Sequence, residues 1–294
     1  MTLTRKTIAA STAVAVLIGL SVCWLAGSIL SQSTNQAVPA AIYPGEDIRI
    51  ASADGITLGA TYWPGATANA PGVLLLHGNG ASRASMAQTA VWLATKGYAI
   101  LTIDFRGHGQ SSPSNHSFGL YESRDARAAF NWLKARQKGG RIGVIGSSLG
   151  GAAILIGDDG PIPADAVILQ AVYPDIRTAI RNRISTRLGS LIGTTAEPFL
   201  SYQSMLRQNV SPDRFSPLAA MPSVKAPVFV IGGGEDKSTP PAETKEMFRA
   251  ARSAKEIWII AGMGHGAATG IDSDEYRMRV SSFLEQNLRQ GSKL

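Results

Sequence analysis

Residues 142–151 read Ile-Gly-Val-Ile-Gly-Ser-Ser-Leu-Gly-Gly. An apolar run enters Gly146-Ser147-Ser148-Leu149-Gly150, and a segment with helical spacing leaves it. A Gly-x-Ser-x-Gly turn of this kind lifts one side chain above a sheet, because glycines two before and two after let the backbone pass without Cβ clashes. The spacing puts Ser148, not Ser147, at the apex. The helix start behind it offers N–H groups and a partial positive charge to a developing oxyanion. The chemistry implied is attack by a serine hydroxyl on an acyl carbon. Alone, the pentapeptide is equally what a glycine-rich turn with an incidental serine looks like.

A serine nucleophile needs a base, and the base needs an acid to orient it. On a strand–turn–helix nucleophile the chain order is Ser, Asp or Glu, His. The histidines are His77, His108, His116 and His265, and only His265 follows Ser148. It sits in Gly262-Met263-Gly264-His265-Gly266, a loop after the last apolar run. The acid is expected after the preceding run, Val228–Ile231, where Glu235 and Asp236 stand side by side. Residue type alone leaves both open.

Several short elements must bring these loops together. Val73–Leu76, Tyr98–Ile103, Ile142–Ile145, Val167–Leu169, Val228–Ile231 and Ile257–Ile260 are apolar runs without polar alternation, as strands covered on both faces require. Helical spacing appears between them over Ser82–Lys96, Tyr121–Lys138, Leu149–Ile156, Pro241–Arg252 and Ser273–Leu288. Ahead of them, Ile48–Ala53 and Ile56–Trp63 flank Asp54-Gly55, a hairpin dipeptide. The pattern predicts a doubly wound α/β sheet with an antiparallel hairpin at one edge. Asp175 to Val224 breaks the alternation and is too long for a plain connection, so it is expected to form a helical cap. Its arginines 177, 181, 183 and 187 read first as a solvated face and second as an attractor of anionic groups. Its apolar residues, Leu188 to Leu206, read as packing, as cover for an acyl pocket, or as a lipid contact.

With these stretches in view, the sequence resembles the α/β-hydrolase superfamily, in particular its serine aminopeptidase-like and Bem46-like serine-hydrolase branch. The resemblance rests on Leu76-His77-Gly78-Asn79-Gly80, Asp104-Phe105-Arg106-Gly107-His108-Gly109-Gln110-Ser111, Gly146–Gly150, Gly233–Pro240 and Gly264-His265-Gly266, in that order, and covers residues about 46–290. It implies an α/β-hydrolase fold: an eight-stranded, mostly parallel sheet, helices on both faces, and a helical cap insertion. It favours Asp236 over Glu235 as the acid. It implies that the backbone N–H groups of Asn79 and Leu149 form the oxyanion hole, with His77 and His108 supporting. His116 reads as part of an exposed loop, Ser112–Ser117.

The chain has 294 residues, 45% hydrophobic and 17% charged, enough apolar material for a sizeable core. Arg5 and Lys6 precede an uncharged stretch, Ile8–Leu30, and the next charge is Glu46. As a helix this stretch is about 34 Å long, enough for a hydrocarbon core of about 30 Å. It is expected to be an uncleaved signal anchor, the alternative being cleavage near Val38-Pro39-Ala40, which would release the protein. The basic flank stays cytoplasmic, so the remainder is expected to be extracytoplasmic, in the periplasm or outside the cell. The expected organisation is an anchor over 1–30, a linker over 31–45 and a hydrolase domain over 46–294, with the cap over 175–224. The one cysteine, Cys23, lies within the anchor and excludes a disulfide framework. The net charge of +7 is scattered, with no basic block, so nucleic acid is not an expected partner. No zinc or phosphate-loop motif is present, and no metal or cofactor is called for. The elbow carries serine rather than aspartate, which disfavours dehalogenase or epoxide-hydrolase chemistry. The reading is a membrane-tethered serine hydrolase with a small-molecule or lipid acyl substrate, a carboxylic ester first. Thioester or amide cleavage and acyl transfer are alternatives on the same residues, and a non-catalytic, membrane-anchored binding module is the alternative of another class.

Overall fold

A computed structural model describes residues 5–268 and 273–289. Its centre is an eight-stranded sheet: β1 (Glu46–Ala51), β2 (Thr57–Trp63), β3 (Gly72–Leu76), β4 (Ala99–Ile103), β5 (Ile142–Ser147), β6 (Ala166–Gln170), β7 (Val228–Gly233) and β8 (Lys255–Ile260). The spatial order is β1-β2-β4-β3-β5-β6-β7-β8. β2 pairs antiparallel with both β1 and β4, and every other pairing is parallel. The hairpin turns where expected: Asp54 and Gly55 both have positive φ, at 60° and 76°.

The apolar runs are continuous because both faces of the sheet are covered. Leu74 and Leu76 of β3 lie in one core with Val144, Val167 and Val230, beneath α3 (Glu122–Arg136), α4 (Leu149–Leu155) and α9 (Pro241–Ala250). Val73 and Leu75 point the other way, into a second core with Ile145, Ile168 and Ile231 under α2 (Ala87–Thr95) and α10 (Asp274–Leu284). Alternation with period two thus survives inside each run, but both faces want the same residue type.

Between β6 and β7 the chain forms α5 (Ile176–Leu188), α6 (Ser190–Ser201), α7 (Gln203–Gln208) and α8 (Pro217–Ala220). Asp175 caps α5 by accepting from the Thr178 N–H at 2.8 Å. At the other end of the chain, α1 (Arg5–Leu30) includes Thr7–Leu30, the one helix among the described residues long and apolar enough to cross a membrane. The segment behind it does not hang free. Residues 34 and 35 pair in parallel with His108 and Gly109, and the Asn35 amide donates to the carbonyls of His108, Gly109 and Ser111.

Candidate active site

The parallel register brings four strand ends to one edge. Ser147 is opposite Gln170, Gln170 opposite Ile231, and Ile231 opposite Trp258. Ser148 and the loops after β6, β7 and β8 therefore leave the sheet on the same side, where open α/β sheets place their sites.

Ser148 sits between β5 and α4 with φ 48° and ψ −109°, a conformation that side-chain-bearing residues rarely adopt. The glycines around it are required by backbone, not by flexible side chains. A Cβ on Gly146 would lie 2.6 Å from the Gly150 carbonyl carbon, and one on Gly150 would lie 2.3 Å from the Leu76 carbonyl oxygen. We expect Gly150→Ala to cost about 3 kcal/mol and lower the melting temperature by roughly 5–10 °C, because neither strand nor helix can yield. A melting temperature within two degrees of wild type by calorimetry would show that the turn has slack. The neighbouring serine has a different place. The Ser147 hydroxyl donates to Gln170 Oε1 at 2.6 Å, and the Gln170 amide donates to Tyr276 Oη at 2.7 Å. Ser147 is thus held inward, while Ser148 Oγ makes no hydrogen bond among the described residues.

Of the two candidate acids, the fold brings Asp236 to the histidine. His265 Nδ1–H donates to Asp236 Oδ2 at 2.7 Å. Asp236 Oδ1 accepts from the backbone N–H groups of Ser238 and Thr239, each at 2.8 Å. Glu235 is exposed, and its N–H donates to Met263 O at 3.0 Å. That bond and Gly234 N–H to Ile260 O at 2.7 Å lace the acid loop to the histidine loop. Asp236 is buried and His265 is 22% exposed. The structure makes no Ser148–His265 hydrogen bond.

The loop after β3 lies against the elbow: a Cβ on Gly78 would be 3.7 Å from Ser148 Cβ. Two histidines clamp this loop on either side of Asn79. His77 Nδ1–H donates to Gly78 O at 2.7 Å, and its Nε2 accepts from Phe105 N–H at 3.1 Å. His108 Nε2 accepts from Gly80 N–H at 3.1 Å, and its Nδ1–H donates to Arg106 O at 2.9 Å. Both rings are therefore neutral, with the proton on Nδ1. Burial keeps them so, pushing His77 down to about 4 and moving His108 down as well. Asn79, in the turn after β3, and Leu149, the first residue of α4, border the elbow; among the described residues the Asn79 N–H donates to no acceptor and the Leu149 N–H to none outside α4.

His116 corrects the expectation of an exposed loop. It is 1% exposed, stacked on His108 with ring centroids 3.9 Å apart, and its Nε2–H donates to Gly107 O at 3.2 Å. Its polar neighbours in sequence gave no sign of this; the partner it stacks on arrives from eight residues away through a turn built on Gly107 and Gly109.

Sequence also missed the contact between cap and acid loop. Asn182 of α5 donates to both Ser238 O at 3.2 Å and Glu243 Oε1 at 2.6 Å. Burial pushes the Glu243 carboxyl up to about 7, while the Asn182 hydrogen bond pulls the other way. Its Oε2 is buried with no hydrogen-bond partner among the described residues. A carboxyl whose pKa is higher folded than unfolded binds its proton more tightly in the fold. Its penalty is absent below the unfolded value near 4.5, grows as pH rises through about 7, and is full above that. Glu243→Gln keeps the acceptor for Asn182 and removes the charge. We expect it to stabilise the protein by on the order of 1–3 kcal/mol at pH 8 and by almost nothing at pH 4.5, read as melting temperatures. Equal shifts at both pH values would contradict this.

Comparison with known proteins agrees with this architecture. The sequence profile described as "Alpha/beta hydrolase family" matches residues 73–276. An uncharacterized Mycobacterium tuberculosis protein, Rv2307c, is 28% identical over 257 residues, covering 86% of this chain and 83% of that one. The lysophosphatidylserine lipase ABHD12 of Gallus gallus is 32% identical over 118 residues, a match spanning 38% of this chain and 30% of that protein. Among solved structures, the Pyrococcus furiosus esterase Pf2001 superposes with a TM-score of 0.66 at 22% identity, covering 87% of this chain and 98% of the esterase. The chain belongs to the alpha/beta hydrolase family.

Proposed function

We propose that this hydrolase is a membrane-anchored serine esterase acting through Ser148, His265 and Asp236. The observation that carries the reading is the 2.7 Å bond from His265 Nδ1–H to a buried carboxylate, at the same sheet edge as a serine on a strained strand-to-helix turn. With Nδ1 protonated, Nε2 holds the free lone pair that a general base needs. In the reaction, Ser148 Oγ attacks the ester carbonyl as His265 Nε2 takes its proton. The carbonyl oxygen becomes an oxyanion and receives the N–H groups of Asn79 and Leu149. The tetrahedral intermediate collapses, the C–O bond to the alcohol breaks, and His265 returns the proton to the departing oxygen. Water then enters, loses a proton to His265 and attacks the acyl-enzyme, so that carboxylate and Ser148 hydroxyl are released. His77 and His108 do not exchange protons with substrate; they fix the backbone on both sides of Asn79, so the oxyanion donor is preset. The anchor is α1, with Arg5 and Lys6 on the cytoplasmic side and the catalytic domain on the other.

The test is covalent labelling of the full chain in detergent with a fluorophosphonate, followed by peptide mapping. The adduct is expected on Ser148 in wild type and absent in His265→Ala. A folded wild type without label, or an adduct on another serine, would overturn the assignment.

A further inference from the structure

The cap is built inside out. α6 buries Gly193, Glu197 and Ser201, spaced four apart, and exposes Leu191, Ile192 and Phe199. A water-facing helix packed on a protein core has the opposite polarity. Close packing on α5 explains the small buried residues: a Cβ on Gly193 would lie 2.8 Å from Arg181 O. Nothing among the described residues covers the apolar outer face, which continues through Met205 and Leu206; Leu191 and Leu206 are 77% and 79% exposed.

This face adjoins α1. The Gln203 amide donates to Cys23 O at 2.8 Å, and Arg207 Nη2 donates to Trp24 O at 2.9 Å and to Ser28 Oγ at 2.8 Å. The Arg207 guanidinium also lies 4.0 Å from the centroid of the Trp24 ring. Gly27 faces Gln203 so closely that no side chain would fit without displacing it. These contacts fix a depth. Thr7–Leu30 is about 36 Å long as a helix, against about 30 Å of hydrocarbon, so a centred span leaves the outer boundary about 3 Å inside Leu30. Trp24 is six residues from that end, about 9 Å, which places it about 6 Å below the boundary. The cap residues that touch it are at the same depth. The chain offers no slack to lift the domain clear, since His116 N–H donates to Ser31 O at 2.7 Å and Thr34 N–H to Gly107 O at 2.6 Å immediately after α1.

The charge agrees with the depth. Between residues 176 and 210 there are five arginines and a single acid, Glu197, which is paired with Arg177. The four arginines beyond that pair give these cap helices a net positive charge, which fits an anionic bilayer surface, since long guanidinium side chains can reach lipid phosphates.

We infer that the outer face of α6 and α7 is embedded in the outer leaflet beside α1, against anionic phospholipid, so that the hydrolase takes its acyl substrate from the membrane. The inference rests on α1 being a membrane span, and it deepens the proposed function by naming the substrate class, a lipid ester. It does not depend on which residues perform the chemistry.

The test uses the full chain reconstituted in phosphatidylglycerol vesicles whose acyl chains carry bromine. Cys23→Ser removes the chain's one native cysteine, leaving Leu191→Cys, Leu206→Cys and, as control, Asn69→Cys to carry a fluorescent label. Asn69 is exposed and precedes β3, at the sheet edge opposite Ser148. Bromine quenching is expected to be severalfold stronger at 191 and 206 than at 69, in protein that resists an alkaline carbonate wash. Quenching at 191 and 206 no stronger than at 69, in protein that resists the wash, overturns the embedded cap and leaves the anchor standing. Release by the wash overturns the anchor reading and the embedded cap with it. Neither readout needs turnover, so a failure of the esterase assignment is seen separately.

Discussion

Ser148→Ala is expected to lower kcat for ester hydrolysis by roughly four to six orders of magnitude, with the melting temperature unchanged or slightly higher. The first half of this expectation follows from the chemistry: without Oγ there is no acyl-enzyme, and only oxyanion stabilisation and binding remain. The second half follows from the structure. Ser148 Oγ makes no hydrogen bond among the described residues, so its loss orphans no donor or acceptor. The backbone at 148 keeps φ 48° whichever of the two side chains it carries, because that angle is imposed by β5, α4 and the Ser148 N–H to Gln170 O bond at 2.8 Å. Ser147→Ala is the contrasting control. It breaks the bond to Gln170 Oε1 and leaves a buried acceptor unpaired, at a cost of about 1–3 kcal/mol. Its activity should fall only through misplacement of the elbow. The pair is measured by initial rates on a short-chain ester with melting curves. Near-normal turnover in Ser148→Ala would remove serine catalysis at this position. Wild-type stability in Ser147→Ala would remove the claim that the neighbouring serine is structural.

The elements that share a short, repeated physical rule could be seen in the sequence. Strands buried on both faces must be apolar at every position, and the runs at 73–76, 142–145 and 228–231 are. The elbow could be seen because steric exclusion leaves glycine alone at 146 and 150. Residue chemistry leaves Glu235 and Asp236 both open, and the family resemblance only favours Asp236; the contact that distinguishes them in the structure is with a histidine 29 residues away. What stayed hidden depends on long-range pairing without periodicity. Asn35 looks like any polar linker residue until the turn at 107–111 presents three carbonyls to it. His116 sits among serines and an asparagine, and its burial comes from stacking on His108. Gln170 ends an apolar strand, a weak signal that its side chain has work to do, and its partners are 23 and 106 residues distant. The cap's apolar residues were seen, but their direction was not. The spacing of α6 reads as an amphipathic helix, and amphipathicity alone does not say which side is the outside.

Asp236→Asn is expected to cost about four orders of magnitude in kcat, close to the loss from removing the nucleophile, although the substitution changes almost no volume. The reason is the direction of one hydrogen bond. Asp236 Oδ1 accepts two backbone N–H groups, from Ser238 and Thr239, at 2.8 Å. An asparagine in this place must put its carbonyl oxygen there, since an amide nitrogen facing two N–H donors would leave both buried bonds unmade. The NH₂ group is then forced into the Oδ2 position, 2.7 Å from His265 Nδ1. Donor now faces donor unless the imidazole moves its proton to Nε2. In that tautomer Nδ1 accepts from the amide and Nε2 has no lone pair for the Ser148 proton. The negative charge that stabilises the imidazolium in the transition state is also gone. Folding should be little affected, because the hydrogen-bond count is conserved. The check is a paired measurement: kcat on the ester, and the nitrogen chemical shifts of His265 in labelled protein. The expected result is the Nδ1–H tautomer in wild type, the Nε2–H tautomer in Asp236→Asn, and a loss of activity that accompanies the switch. A variant that keeps the Nδ1–H tautomer, or that loses the tautomer but not the rate, would show that Asp236 does not orient the base.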